Sequence, residues 1–172
     1  MYHYTYCAGV LPYCQMAGKT YFLLGKSRKL NMWTTFSGKD ELTDESEFQT
    51  AAREFDEESL GVICSKERML HLVQKTPIVL NSRTPRGRTC RIFVVQIPYS
   101  KTYAPTFNHV SQFLKRFDPQ LVYKYTEIRE IRWIEESVMI QHIKPIWIKN
   151  KHLREEVEWM KLRNLGPRFL LS

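Results

Sequence analysis

Apolar positions along this chain fall mostly into short runs of strand length. Residues 4 to 11 read as a first strand with Gly9 inside it. Ala17-Gly18-Lys19 reads as a turn, and Thr20 to Leu24, rich in β-formers, as a second strand. Gly25 to Asn31 is a basic loop, and Trp33 to Phe36 a short strand leading into Gly38. From Asp44 or Ser46 to Gly61 the period changes. Ala51, Ala52 and Phe55 recur at helical spacing within a polar run. Asp44 with Glu47, or Ser46 with Gln49, makes a capping box at its start, and Gly61 supplies a C-cap. Leu72 to Leu80 and Cys90 to Ile97 read as strands around a basic hairpin loop, 81 to 88. His109 to Phe117 reads as a short helix. Glu127 to Ile134 reads as a strand in which Ile131 and Trp133 alternate with Glu130 and Arg132. Residues 136 to 143 and 151 to 164 look helical, with Pro145 between them.

This mixture of strands and helices is an α/β pattern. With 172 residues and no repeat, linker or low-complexity segment, residues 1–172 are expected to form one domain with a substantial core. No apolar run approaches the roughly 20 residues of a membrane span. The start, Met1 to Tyr6, lacks the basic and apolar regions of a signal peptide. Cys7, Cys14, Cys64 and Cys90 have neither disulfide-scaffold density nor zinc-site spacing. They are read as reduced thiols, and the protein as intracellular and cytoplasmic.

Charge changes the picture. The net charge is +8, but residues 40 to 58 hold nine of the 18 acids and only one base, Arg53. The rest of the chain has 25 bases against nine acids, a net of +16. A body of this charge attracts polyanions such as nucleic acid, although a generic solubility charge is the competing explanation.

The acidic segment contains Arg53-Glu54-Phe55-Asp56-Glu57-Glu58. On a helix, residues three and four apart are neighbours, so Glu54, Glu57 and Glu58 share a face. Like charges at this spacing are mildly destabilising, and a solvated acidic face is the simplest account of them. A hard cation reverses the sign of that interaction. Mg2+ and Mn2+ favour carboxylate oxygens, and Mg2+ typically bridges them to phosphates.

With its flanks, this segment resembles the signature of the Nudix hydrolases. That signature runs Gly, five residues, Glu, seven residues, Arg-Glu-apolar-any-Glu-Glu, one residue, Gly-apolar. Here seven residues separate Glu45 from Arg53, the core matches at each required position, and Gly61-Val62 closes it. Two departures occur: six residues separate Gly38 from Glu45, and Ser59 and Leu60 separate Glu58 from Gly61. The resemblance implies an α/β/α sandwich with a mixed sheet, and cleavage of a diphosphate linked to another group. It implies Mg2+ or Mn2+ held by Glu54, Glu57 and Glu58, with Arg53 holding the carboxylate array. Gly38 would let the backbone approach a metal or phosphate, with Lys39 beside it, and Glu45 would be structural, near the arginine or the helix start. The general base would be Glu57 or a glutamate on a distant loop.

Glu127-Ile128-Arg129-Glu130-Ile131-Arg132-Trp133 is similar to the segment carrying the loop glutamate of mRNA-decapping Nudix enzymes, with Glu127 at the matching position. Phe36-Ser37-Gly38-Lys39 and Asp44-Glu45-Ser46 resemble the corresponding stretch of that group, which includes enzymes of large DNA viruses. The partner so implied is capped RNA, cleaved to 7-methyl-GDP and 5′-monophosphate RNA. Stacking on a base is worth roughly 1–3 kcal/mol per aromatic ring. Candidate rings are Trp33, Phe36, Tyr13 and Tyr21, each of which also suits a core. Arg83, Arg86 and Arg88 form the best RNA-binding patch, supplemented by Lys26, Arg28, Lys29 and Arg91. The same patch suits a small polyanion: a diphosphoinositol polyphosphate, a nucleoside triphosphate or a dinucleotide. An RNA-binding module without catalysis is the alternative of another class. The three clustered glutamates argue against it.

Overall fold

The computed structural model describes residues 6–29, 31, 33–83, 89–117 and 127–139. Their elements are β1 (Cys7–Met16), β2 (Lys19–Ser27), β3 (Trp33–Thr34), β4 (Phe36–Lys39), α1 (Glu47–Glu58), α2 (Lys66–Lys75), β5 (Val79–Arg83), β6 (Thr89–Gln96), α3 (Tyr103–Phe117) and β7 (Ile128–Glu135). The seven strands form one sheet in the order β3-β2-β1-β6-β5, with β4 also on β1 and β7 also on β2. β1 and β6 run parallel and the other pairs antiparallel. This is the α/β arrangement with a mixed sheet expected above.

Side chains alternate across a strand, and β1 and β6 are apolar on both sides. Ala8, Val10, Phe93 and Val95 join a cluster with Ala51, Ala52 and Phe55 of α1, Met69 and Val73 of α2, and Phe107 of α3. Leu11, Tyr13, Ile92 and Val94 join a second cluster with Phe22, Leu24 and Met139. Burying a side chain such as Phe55, which has no exposed surface, contributes about 1.5–3 kcal/mol. Pro12 lies where β1 exchanges β4 for β2 as its antiparallel neighbour, a position that tolerates a missing N–H.

Several sequence expectations are corrected. The first two strands run longer, and Gly25, Lys26 and Ser27 belong to β2 and not to a loop. Leu72 to Leu80 is not one strand. Ser65 caps α2 by accepting from the Arg68 N–H, Met69 and Val73 bury at helical spacing, and the strand begins only at Val79. The closely spaced Leu70, Leu72 and Val73 conceal that switch of period. α3 begins at Tyr103 and not His109, with Pro105 in its first turn, where a proline is tolerated. β5 pairs antiparallel with β6, Arg83 opposite Thr89, so 81–83 belong to the strand and not to the expected loop, while 84–88 lie outside the described residues. Residues 136–139 are helical, while 140–143 and 151–164 lie outside the described residues.

The cysteine reading also changes. Cys7 and Cys90 are direct partners in the parallel β1–β6 pair and are joined as a disulfide, with Cα atoms 4.3 Å apart. Their separation of 83 positions hides this register from the sequence. Cys14 and Cys64 are free thiols.

Candidate metal and diphosphate site

Helix α1 carries the acidic face. Ser46 is its N-cap, accepting from the Gln49 N–H at 3.3 Å. The Gln49 amide reaches back to the Glu45 backbone N–H at 2.7 Å, and its NH2 donates to the Glu45 carboxylate at 3.3 Å. Glu45 is therefore a helix-start residue. At the other end, Leu60 (φ 56°) and Gly61 (φ 64°) are both left-handed, and the Gly61 N–H closes on the Asp56 carbonyl at 2.8 Å. The residue in excess of the motif spacing is absorbed there, and the carboxylate face is undisturbed.

Packing of Ala51, Ala52 and Phe55 against the sheet sets Glu54 and Glu58 over β4. Glu58 is only 8% exposed. Its Oε2 accepts the Ser37 N–H at 2.7 Å, and no ion pair reaches it among the described residues. Burial holds its carboxyl well above the ordinary range; the charges of Glu54, Glu127 and Glu57 add to the rise, against the Ser37 bond. Burial also pushes Glu54 up to about 7, with Glu57 and Glu127 adding to the rise and Arg53 opposing it. Gly38 makes room for Glu54: a Cβ at Gly38 would stand 2.2 Å from Glu54 Oε1. The space that a side chain at this position would need is thus filled by the Glu54 carboxylate.

Arg53 organises the array from a side chain 8% exposed. Its Nε donates to both oxygens of Asp44, at 3.3 and 3.1 Å. Nη1 donates to Glu54 Oε1 at 3.0 Å and Glu57 Oε2 at 3.2 Å. Nη2 donates to the Lys39 carbonyl at 2.7 Å and Asp44 Oδ2 at 2.9 Å. All five N–H donors of a guanidinium are engaged. Burial would lower its pKa, but the Asp44 hydrogen bonds and the charges of Glu54, Asp44 and Glu57 raise it instead. Burial would likewise raise Asp44, which the bonds from Arg53, the Glu41 N–H and Thr50 lower.

Glu127 stands, exposed, immediately before β7. Its carbonyl accepts the Arg28 N–H at 2.7 Å, beside the register shift at Lys26/Ser27 where β2 meets β7. Such irregularities re-aim side chains at strand ends. The Glu127 charge acts on both Glu54 and Glu58, so the fold brings it to the acidic face of α1.

Hard carboxylate oxygens on Glu54, Glu57 and Glu58 suit Mg2+ or Mn2+. A buried Glu58 with no cation partner among the described residues fits such an ion. Among the described residues, however, no group of three His, Cys, Asp or Glu side chains is gathered as a finished cage. Arg53 Nη1 holds one oxygen each of Glu54 and Glu57, serving as their counter-charge.

The aromatic expectations fare unevenly. Phe36 is completely buried, edge-on to Phe55 at 5.1 Å, and Tyr13 is core as well. Their apolar strand positions suit the core better than a substrate cradle. Trp33 is partly buried at the second cluster, with Lys26 Nζ 5.4 Å and Arg132 Cζ 5.3 Å from its ring centroid. Tyr21 is half-buried. Lys39 contributes its carbonyl to Arg53, and its side chain is exposed. Arg91 pairs with Glu47 at 2.6 Å. Arg83 ends β5, whereas Arg86 and Arg88 lie outside the described residues. Trp133 anchors the approach to α3 by donating to the Ser100 carbonyl at 3.2 Å. The sequence reading missed Asp44 as the partner of Arg53. The available signal was that five residues separate it from Gly38.

No known protein-family pattern matches the chain, and no curated protein matches it by sequence. Solved structures do. An Ap4A hydrolase of C. elegans, as a binary complex, superposes with TM-score 0.55 at 15% identity, covering 93% of this chain and 98% of that one. A Nudix hydrolase of Nitrosomonas europaea gives 0.55 at 15% identity, over 94% and 74%. The Nudix domain of Shewanella oneidensis NrtR, complexed with ADP ribose, gives 0.52 at 15% identity, over 95% and 90%. The chain has the Nudix fold.

Proposed function

We propose that this protein is a divalent-metal-dependent hydrolase of diphosphate bonds, and that its substrate is capped RNA. The observation that carries the hydrolase reading is the buried Glu58, set beside Glu54, Glu57 and Glu127 without a cation of its own among the described residues. Burying like charges costs stability, and a bound cation offsets that cost. Glu54, Glu57 and Glu58 would hold Mg2+ or Mn2+. A bound ion of this kind neutralises charge on diphosphate oxygens and lowers the pKa of coordinated water.

Within this reading, Arg53 keeps Glu54 and Glu57 oriented. Glu127, exposed at the edge of the cluster, accepts the proton of the attacking water; Glu57 is the other candidate base. Water oxygen bonds to phosphorus, the anhydride P–O bond breaks, and the departing phosphate takes the electron pair. For capped RNA the products are 7-methyl-GDP and 5′-monophosphate RNA. Support for RNA comes from the Glu127 to Trp133 segment and from the net +16 outside the acidic segment.

A small-substrate reading draws support from the Ap4A hydrolase and the ADP-ribose-bound domain among the structural neighbours, and from Phe36 being core. A hydrolysis panel separates the two. Capped RNA, cap dinucleotide, a diphosphoinositol polyphosphate and dinucleotides are incubated with Mn2+ and the products weighed by mass spectrometry. The RNA reading expects capped RNA to be cleaved fastest, with a rate that falls steeply with salt. Equal, salt-insensitive rates on RNA and dinucleotide favour the small substrate. No cleavage of any of them leaves a binding module. For Glu127→Gln the expected result is a lower rate and a changed pH–rate profile; an unchanged profile moves the base elsewhere.

A further inference from the structure

We infer that Asp44, and not Glu45, is the positioning residue that locks the carboxylate array in this chain. The inference rests on the hydrolase reading for its functional consequence, but its geometry stands alone. The Asp44 side chain is 2% exposed. It accepts from Arg53 Nε and Nη2, from the Thr50 hydroxyl at 2.9 Å and from the Glu41 N–H at 3.0 Å. Its own N–H closes a turn on the Glu41 carbonyl at 3.0 Å. Its position is therefore determined from the loop, the helix and the guanidinium together.

Glu45 has none of these contacts. It is exposed, and its carboxylate accepts from the Gln49 amide at 3.3 Å. The extra residue after Gly38 explains the exchange. It leaves five residues between that glycine and Asp44 and sets Glu45 one position further on, at the start of α1.

Asp44 acts through Arg53. With Nε and one Nη2 proton fixed on Asp44, Nη1 is aimed between Glu54 and Glu57, at 3.0 and 3.2 Å. Without that anchor the guanidinium is free to swing and pair more fully with those glutamates, competing with a cation for their oxygens. Fixing the residues behind ion ligands typically changes metal affinity 10- to 100-fold.

The test compares Asp44→Asn, Glu45→Gln and Thr50→Val in protein stripped of metal. Thr50→Val removes one hydrogen bond to Asp44 with little change of shape, and serves if Asp44→Asn does not fold. The first readout needs no metal or substrate: the NMR signal of the Arg53 Nε–H and its exchange with water. It is expected to stay slow-exchanging in Glu45→Gln, to exchange faster in Thr50→Val, and to be lost in Asp44→Asn.

The second readout is the Mn2+ concentration giving half-maximal thermal stabilisation. It is expected to rise about tenfold or more in Asp44→Asn and to change by less than about twofold in Glu45→Gln. The third is kinetic: kcat at saturating Mn2+ falls in Asp44→Asn, with KM little changed. Adding Asp44→Asn to Arg53→Lys should cost little more than Arg53→Lys alone, because coupled residues are non-additive. The inference is overturned if Glu45→Gln moves the Arg53 signal as much as Asp44→Asn or Thr50→Val does, or if neither of the latter moves it. If the Arg53 signal behaves as expected but wild type responds to no divalent ion, the hydrolase reading fails and the Asp44 assignment stands.

Discussion

Replacing Glu54 by glutamine should make the metal-free protein more stable at pH 8 and hardly alter it near pH 4.5. Glu54 has a folded pKa of about 7 against an ordinary value of 4.5. The folded state therefore holds a proton between those values that the unfolded state has released. Stability from this group is fully present below about pH 4.5, falls as pH rises, and has been lost above about 7. At 1.36 kcal/mol per pKa unit, the difference of about 2.5 units corresponds to about 3 kcal/mol. Glutamine mimics the neutral acid at every pH, so its variant escapes the loss. The opposing pull of Arg53 is already contained in the raised value. Relief of the like charge on Glu58 acts in the same direction. In a domain of this size, about 3 kcal/mol corresponds to about 6–12 °C in Tm. The assay is thermal and urea unfolding after metal removal, at pH 4.5 and pH 8, repeated with Mn2+. Wild type should regain stability with Mn2+ at pH 8, and the variant much less. Equal pH slopes for wild type and variant would show that Glu54 is not a strained buried carboxyl, and the argument for a cation there would lose its basis.

Gly38→Ala drives a methyl into the Glu54 carboxylate; it should cost about 1–3 kcal/mol and blunt the thermal response to Mn2+, read by titrating the ion. Glu57→Gln and Glu58→Gln should abolish turnover with circular dichroism unchanged, and near-normal rates in both would remove the metal assignment. Phe36→Ala should destabilise by about 3–5 kcal/mol in urea, as a buried aromatic truncation does. Trp33→Ala should change stability far less and be felt in KM if its ring meets substrate.

The acidic face of α1 was legible because helical spacing alone puts Glu54, Glu57 and Glu58 together, and of the two caps that the local pattern offered, Asp44 and Ser46, the helix uses Ser46. The mixed α/β class was legible from the alternation of short apolar runs and helical segments. What escaped depends on non-local pairing. Nothing near Cys7 announces a parallel partner 83 positions away. Phe36, a candidate cradle ring that also suits a core, is assigned to the core only once β4 pairs with β1 and α1 packs over it. Asp44 as the partner of Arg53 escaped because two adjacent carboxylates, Asp44 and Glu45, stand there, and only the folded loop shows which of them turns inward.

The Cys7–Cys90 link gives the molecule a topology as well as a contact. Residues 7 to 90 form a closed ring of chain, and on that ring lie Glu54, Glu57, Glu58 and their whole supporting helix. Glu127 lies outside it, reaching the cluster on a strand that docks against β2. The two parts of the site can therefore be separated without breaking either. If β7 peels from β2, the base proposed here leaves while the carboxylates that would hold the metal stay tethered. Ion binding and turnover would then fail at different points along an unfolding path.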